Sequence, residues 1–270
     1  MGRRRASGIE AFKESGKTGR GRGFGANYQP WLKTSDVTNS NGSRSRMYSL
    51  KCGRVIHFLS HAEAQVFLAL DWMTDVVEIY EQVPLDPAIS MKVAEDLDVK
   101  HAGYDRKDGF VMTTDFLVRR KGDRGFWKEA IQVKSSRDDT VSKRTQEKLK
   151  IEGEYWRREG IDWRVIYASE LNRTFLRNLQ TLAPYRNTRY SDEELSCLMS
   201  YFLRARNAFP DAEPSQLAQA VLSLIDDNEM TAWDVVAVLA GKRLISCPIE
   251  TKDLFSCALQ EFRPNHVSEE

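Results

Sequence analysis

The sequence predicts an α/β domain followed by a smaller, mainly helical domain. Between residues 46 and 168, strand-like and helix-like apolar patterns follow one another, whereas after residue 190 only helical spacing recurs. The length of 270 residues exceeds one minimal domain and suits two. Charge divides the chain as well, since residues 191–270 carry 14 acidic and 6 basic side chains, net −8, and residues 1–190 are net +9.

The first 25 residues are rich in glycine, serine and arginine, with almost no large apolar side chain after Phe12. They cannot form a core, so we expect a flexible basic arm over residues 1–25. Such an arm could track DNA or be a plain disordered terminus, and composition supports both equally. Arg20 and Arg22, together with Lys143 and Arg144 at the start of a predicted helix, are the candidate DNA contacts.

The α/β domain is expected over residues 26–170. A hairpin at residues 46–59 precedes a helix that starts after the N-cap Ser60 and continues to Thr74, because its apolar residues recur at steps of three and four. The remaining predicted elements are strands over 76–83, 111–120 and 126–133, a helix over 142–159 and a strand over 163–168. A polar turn at residues 121–125 makes the second and third of these strands antiparallel neighbours.

The second domain is expected over residues 171–270. After a linker over residues 171–190, helices are predicted over 192–207, 214–227 and 231–240, with a short hairpin over 243–251. Three helices and a small hairpin are typical of a winged-helix-like domain. Because the net charge of −8 disfavours DNA, we expect this domain to dock proteins.

Composition excludes several classes. The longest apolar run, residues 235–240, is far too short to span a membrane, and no apolar segment follows Arg3–Arg5 as a secretory signal requires. Four cysteines without a CxxC pair indicate reduced thiols, and Cys52 with His57 and His61 lacks the second half of a usual zinc site. We therefore expect a cytoplasmic protein, of the bacterial cytosol or nucleoid, with no membrane partner.

Three polar side chains should meet where two neighbouring strands run together. Gln132 and Lys134 are two residues apart on one strand and so point to the same face, and the short turn brings Asp115 beside them. A carboxylate, a carbonyl and an ammonium suit Mg²⁺-dependent phosphodiester cleavage, which needs hard oxygen ligands and a cation near the phosphate. Each residue also has a structural interpretation: turn capping for Asp115, an edge hydrogen bond for Gln132 and a solvated strand end for Lys134.

Glu63 is the candidate second carboxylate, because it lies on the helix stripe that should be buried. An unpaired carboxylate on an apolar face is costly, and a bound metal would explain it. However, Ser60-His-Ala-Glu63 is also a capping box, in which Glu63 returns to the Ser60 backbone. Spacing alone leaves both interpretations open.

A helix Glu, a strand Asp and an acidic-x-Lys on the next strand resemble the PD-(D/E)xK pattern of restriction-endonuclease-like nucleases. The chain departs from it at Thr114, where the pattern has Pro, and at Gln132, where it has an acid, but Gln-x-Lys is similar to TnsA-type nucleases. The resemblance extends over most of the first 170 residues, at Gly19-Arg-Gly-Arg-Gly-Phe-Gly25, Tyr28-Gln-Pro-Trp-Leu32, Tyr48-Ser, Gly53-Arg-Val, Leu59-Ser, Glu81-Gln, Thr113-Thr-Asp-Phe-Leu-Val118, Ile131-Gln-Val-Lys134 and Tyr155-Trp156.

The resemblance implies a restriction-endonuclease-like fold with Glu63, Asp115 and Lys134 as catalytic residues and Glu63, Asp115 and Gln132 as metal ligands. Glu152 also matches an acidic position of the family, although a solvated helix face is its bland interpretation. The implied cofactor is Mg²⁺, replaceable by Mn²⁺, as two ions. Such nucleases cut the 5′ ends of a transposon, while a DDE-type transposase, TnsB, acts on the 3′ ends and an AAA+ ATPase, TnsC, regulates both.

Two other functions remain open at this point. One is a stand-alone restriction or repair nuclease of the same fold, which would cut DNA without a partner. The other is a non-catalytic DNA-bound adaptor in which Glu63 is only a helix cap. The implied partners of the leading hypothesis are transposon-end DNA, the transposase and the ATPase.

Overall fold

The computed structural model describes residues 9–37, 43–103, 110–216 and 230–265. The chain divides into two compact units, Met1–Leu171 and Asn172–Glu270. Among the described residues no helix is both long and apolar enough to cross a membrane.

The first unit contains a hairpin and a four-stranded sheet with helices on both faces. Its helices are α1 (Ile9–Lys13), α2 (Ser15–Thr18), α3 (His61–Trp72), α4 (Pro87–Asp96) and α5 (Lys143–Arg158). Its strands are β1 (Ser45–Ser49), β2 (Arg54–Phe58), β3 (Val76–Pro84), β4 (Thr113–Gly122), β5 (Gly125–Lys134) and β6 (Asp162–Tyr167). The predicted hairpin, helices and strands of this region are confirmed, whereas α4 was missed.

The sheet is mixed, with the order β3-β4-β5-β6. β3, β4 and β5 are antiparallel neighbours, and β6 runs parallel to β5 because α5 carries the chain back between them. The hairpin β1-β2 and α3 cover one face through a core that includes Phe58, Phe67 and Phe116. α4 and α5 cover the other face around Val93 and Ile151. The fold is therefore the predicted α/β arrangement, a mixed sheet flanked by helices.

The helix α4 has local signals of its own. Asp86 caps it by accepting hydrogen bonds from the backbone N–H groups of Ala88 and Ile89, and Pro87 occupies the first turn, where its missing N–H costs nothing. Val93 is its fully buried contact with the sheet. Pro84 is the last residue of β3, and α4 begins three residues later.

The expected flexible arm is wrong for residues 9–25. Phe12 packs edge-on against Trp31, with ring centroids 5.7 Å apart, and the fully buried Trp31 donates its backbone N–H to Gln82 O at 3.1 Å. The prediction failed because Trp31, the buried residue that holds this segment, lies outside the range 1–25 from which it was made. Glycines also let the chain turn closely onto the sheet. Arg3–Arg5 lie outside the described residues.

The second unit contains α6 (Arg173–Asn187), α7 (Asp192–Ala208), α8 (Ala232–Gly241) and the short strands β7 (Ile245–Ser246) and β8 (Arg263–Pro264). The helices predicted over 192–207 and 231–240 are confirmed. Of the helix predicted over 214–227, residues 214–216 form a short 3₁₀ turn and the rest lie outside the described residues.

Two predictions in this unit are wrong. Residues 171–190 are largely the helix α6, which Asn172 caps and which buries Leu176, Leu179 and Leu182 at helical spacing. Pro184 inside the helix disguised this pattern in the sequence. The hairpin over 243–251 is also wrong, because β7 pairs antiparallel with β8, far along the chain, rather than with residues 248–251.

Candidate active site

Asp115 lies near the start of β4, where β4 and β5 stop pairing. Their register ends at Phe116 opposite Ile131. Beyond that pair, Asp115 Oδ2 accepts the backbone N–H of Val133 at 2.7 Å, so a side chain takes over the next hydrogen bond between the strands. The carboxylate is 9% exposed. Turn capping, the structural alternative for Asp115, is therefore not what holds it; the neighbouring strand does.

Glu63 occupies the third position of α3, behind the N-cap Ser60. Ser60 Oγ accepts the Glu63 backbone N–H at 3.2 Å and donates its own proton to Glu63 Oε1 at 2.9 Å. Glu63 Oε2 accepts the backbone N–H of Leu59 at 2.9 Å, not that of Ser60 as a capping box requires. Ser60 is thus the N-cap of α3. The buried Glu63 carboxylate extends past Ser60 to the backbone of Leu59.

Gln82 joins the two carboxylates. Its Nε2 donates to Asp115 Oδ1 at 3.0 Å and to Glu63 Oε2 at 3.4 Å, and its Oε1 accepts the hydroxyl proton of Thr113 at 3.0 Å. Gln82 is 2% exposed and has a left-handed φ of 49°, an unusual conformation for a residue other than glycine. Strain of this kind concentrates at functional sites.

Sequence reasoning missed Gln82. The only signal was the Glu81-Gln dipeptide among the family-like segments, because neither a positive φ nor a bridging amide leaves a periodic pattern. Its backbone carbonyl accepts the N–H of Trp31, which is distant in sequence, so no local pattern indicates this contact either.

Gln132 and Lys134 end β5 on one face, as their spacing predicted. Gln132 is 9% exposed, and its Oε1 is buried with no hydrogen-bond partner in the part of the chain that the structure describes. The edge hydrogen bond considered for Gln132 is thus not made by this oxygen. A buried carbonyl without a partner is costly, so Oε1 is an atom of this site that could accept a ligand.

The electrostatics of the site favour a cation. Burial, and then the negative charge of Asp115, raise the pKa of Glu63 from 4.5 to about 8. Burial also raises the pKa of Asp115, against the positive charge of Lys134 and the hydrogen bonds from Val133 and Gln82. Two carboxyls that both resist ionisation, side by side, form a site that a divalent cation would stabilise.

Comparison with known proteins bears on this geometry. Residues 73–168 match the model of the TnsA-like endonuclease N-terminal family, and this range includes Asp115, Gln132 and Lys134. The transposon Tn7 transposition protein TnsA of Escherichia coli is 40% identical over 185 residues, which are 67% of this chain. The chain belongs to the TnsA-like family. The alignment spans 65% of the length of that relative.

In this TnsA-like chain, Glu152 of α5 is the third buried carboxyl near the site. It is 3% exposed, so the solvated helix face considered for it is wrong. Thr114, at the position where the PD pattern has Pro, donates its hydroxyl proton to Glu152 Oε1 at 2.7 Å, and Trp163 Nε1 donates to the same oxygen at 3.1 Å. Burial raises the pKa of Glu152 to about 8, with Asp115 adding to the effect.

Glu152→Gln is expected to make stability less dependent on pH in the metal-free TnsA-like protein. Between about pH 4.5 and 8 the folded state retains the Glu152 proton that the unfolded state has released. The contribution of this proton to the free energy of unfolding is therefore fully present below pH 4.5 and is lost as the pH rises to 8. Urea unfolding at pH 5, 6.5 and 8 should therefore show a smaller fall for Glu152→Gln than for the wild type.

Glu154→Gln in the same helix is the matched control. The side chain of Glu154 is 19% exposed, and its hydrogen bond with Arg157 lowers its pKa to about 2, so it is ionised in both states over this range. Equal pH slopes for the wild type and Glu152→Gln would contradict the assignment of a proton to Glu152.

The four predicted DNA contacts of this TnsA-like chain differ in their surroundings. Arg20 donates to Asp36 at 2.5 and 3.1 Å, and Arg144 donates to the carbonyls of Lys100 and His101, so both guanidinium groups have internal partners. Lys143 is exposed at the start of α5, and the exposed Arg22 donates its Nε–H to Ser15 Oγ. Their contact with DNA stays a prediction.

Among the described residues there is no cluster of three His, Cys, Asp or Glu side chains suited to hold a metal. Cys52 is buried and faces the carbonyl of Ile79, and His57 Nδ1 lies 3.1 Å from Thr34 Oγ1. Cys52 and His57 therefore each contact a different group. The candidate donor set at the strand ends is two carboxylates plus an amide carbonyl.

Proposed function

We propose that this chain is a divalent-metal-dependent DNA endonuclease that cuts the 5′ ends of a transposon together with a DDE-type transposase. The single observation that carries the proposal is the pair of buried carboxylates, Glu63 and Asp115, joined by Gln82 at the end of β5. On that strand the Gln132 carbonyl has no hydrogen-bond partner among the described residues, and the charge of Lys134 acts on Asp115. Membership of the TnsA-like family, and a relative named as a transposition protein, support the DNA substrate and the setting.

The residues fit Mg²⁺, which prefers hard oxygen ligands. Glu63, Asp115 and Gln132 Oε1 would hold it. We propose that two ions bind and that Mn²⁺ can replace Mg²⁺. The bound cation supplies Lewis acidity to the scissile phosphate and to the attacking water. Gln82 keeps the two carboxylates together before the cation arrives, because its amide donates to both.

Lys134 supplies the positive side chain of the site. Its charge lowers the pKa of both Asp115 and Glu152, and its ammonium has no hydrogen-bonded or ion-paired partner within the described ranges. We propose that it neutralises charge that develops on the phosphate during cleavage. Glu152, whose Oε1 already accepts from Thr114 and Trp163, would act as an auxiliary group that supports Thr114 and the start of β4.

The fold type of each unit is part of the proposal. We propose that the first unit is restriction-endonuclease-like and that the unit Asn172–Glu270 is a winged-helix-like domain that docks protein partners, including an AAA+ ATPase. α6, α7, α8 and the β7-β8 pair support the second assignment. The net charge of −8 over residues 191–270 favours a protein partner over DNA.

Reconstituted cleavage tests the function. Purified chain, Mg²⁺ and a plasmid with transposon ends are incubated with and without a DDE-type transposase that recognises those ends, and cut positions are mapped. We expect cuts at the 5′ transposon ends only when the transposase is present. Scattered cutting by the chain alone would instead identify a stand-alone nuclease, and no cutting with the complete machinery would support the adaptor.

Gln132→Met is expected to weaken Mn²⁺ binding about 10-fold without loss of stability. Methionine matches the shape of glutamine but lacks the carbonyl, and Oε1 has no internal hydrogen bond to lose. Calorimetric titration with Mn²⁺ measures the affinity, and thermal unfolding in EDTA measures the stability. Unchanged Mn²⁺ affinity would remove Gln132 from the ligand set.

A further inference from the structure

Phe24 holds its ring in solvent on a loop that is itself fixed. Its side chain is 80% exposed. Hydrogen bonds lock the loop on both sides of it, from Gly21 N to Gln29 O at 2.7 Å, from Gln29 N to Arg22 O at 3.0 Å and from Asn27 N to Phe24 O at 3.1 Å. The ring is therefore exposed and held in a defined position, so what lies beside it decides whether it belongs to a binding surface.

Two glycines give the loop its shape. Gly21 has φ 65° and lies so close to β3 that a Cβ atom would be 2.4 Å from Pro84 Cγ. Gly23 has φ 98°, and a Cβ there would be 2.5 Å from Asn27 O. Larger residues do not fit at either position, so the sequence commits the chain to the path that turns Phe24 outward.

A groove of about 360 Å³ lies beside Phe24. Tyr28, Tyr80, Val83 and Leu117 contribute aromatic and apolar walls to it. Arg22 and Lys128 line the same groove and are exposed. The groove therefore combines flat apolar surface with two cations.

The β4-β5 hairpin extends this surface. Lys128 is opposite Arg119 in the register, and Phe126, two residues from Lys128, projects on the same face. The Arg119 guanidinium lies 4.1 Å from the centre of the Phe126 ring, which is 55% exposed. An acidic side chain, Glu78, also lies next to this surface. Its Oε2 is 3.4 Å from the Arg119 guanidinium and accepts the Tyr80 hydroxyl at 2.9 Å.

We propose that this surface, formed by the loop 19–25 and the β4-β5 hairpin, binds unpaired DNA bases, with Phe24 as the stacking ring. Proteins that bind single-stranded DNA combine cations along the backbone with aromatic rings that stack on bases. Bases inside a duplex are stacked on one another, so a duplex could reach the cations but not the groove. The inference rests on the proposed endonuclease function and specifies the form of DNA that it holds.

Fluorescence anisotropy of the full-length chain tests the proposal in EDTA, where no cleavage occurs. Two labelled DNAs are compared: a fully paired duplex and the same duplex with a short mismatched bubble. We expect the wild type to bind the bubble more tightly. Phe24→Ala should lose about tenfold in bubble affinity, as stacking on one base predicts, and stay within about twofold on the duplex. Phe24→Trp should keep the bubble preference.

Phe209→Ala is the matched control, because Phe209 is 45% exposed and belongs to the other unit. It should leave both affinities unchanged. Thermal unfolding should show no loss for Phe24→Ala, whose ring contributes little burial. Equal bubble affinity for the wild type and Phe24→Ala overturns the inference alone, whereas failure of the wild type to bind either DNA overturns the proposed function too.

An equal loss on both DNAs would also overturn the proposal, since it would indicate general electrostatic or structural effects. So would unchanged DNA affinities accompanied by lost association with the transposase, because the surface would then be a protein-docking site.

Discussion

Asp115→Asn is expected to lower 5′-end cleavage about 10³-fold, because losing one anionic ligand removes several kcal/mol of metal-dependent stabilisation of the transition state. The asparagine oxygen can still accept the Val133 N–H, so β4 and β5 should stay together. Single-turnover cleavage of end-labelled DNA, with the transposase and Mg²⁺ present, measures the loss.

Asp71→Asn controls for the exchange of a buried carboxylate for an amide. Asp71 is 5% exposed and accepts the Ser49 hydroxyl at 2.9 Å, on α3 but outside the candidate site. It should retain cleavage. If Asp115→Asn, folded by circular dichroism and bound to DNA, still cuts at a wild-type rate, the proposed site is wrong.

Glu63→Gln is expected to reduce cleavage by a similar factor, about 10²- to 10³-fold, without lowering stability in the absence of metal. The raised pKa of Glu63, about 8, means that its ionisation opposes folding as pH rises, and glutamine removes that opposition. Mn²⁺ should raise the melting temperature of the wild type and not that of Glu63→Gln. Cleavage kinetics and thermal unfolding at pH 8 check both parts.

Ser60→Ala separates capping from chemistry. It removes the N-cap of α3, which should cost about 1 kcal/mol of stability, and the hydroxyl that donates to Glu63 Oε1, but it leaves Glu63 Oε2 bonded to the Leu59 N–H. We expect reduced stability with cleavage retained, the opposite of Glu63→Gln. The reverse outcome, with activity lost on removing the cap and kept in Glu63→Gln, would make Glu63 a structural residue and favour the adaptor.

Strand periodicity and turn length were enough to place Asp115 beside β5, since both depend on local rules that the structure obeys. The role of Glu63 was ambiguous because the third position after Ser60 suits both a capping-box glutamate and a metal ligand on the buried face of the helix. The structure shows why: Ser60 does cap α3, yet the carboxylate reaches Gln82, which is distant in sequence.

What sequence could not supply depends on contacts between distant residues. The role of Gln82 depends on its backbone torsion and on Thr113, 31 residues away. The burial of Glu152 depends on Thr114 and Trp163, although helical spacing alone suggested a solvated face. α6 was hidden by Pro184, and β7 by the distance to its partner β8.

The bridging amide of Gln82 makes the candidate site dependent on contacts that are distant in sequence. It links Glu63 and Asp115 across 19 and 33 residues of sequence, and Thr114 reaches Glu152 across 38. Contacts of such separation form late in folding, since long loops must close first. A chain still emerging from the ribosome up to Val133 has no α5 and no β6, so its candidate site is incomplete. If the proposed function holds, we expect nuclease activity to appear only after synthesis has passed residue 167.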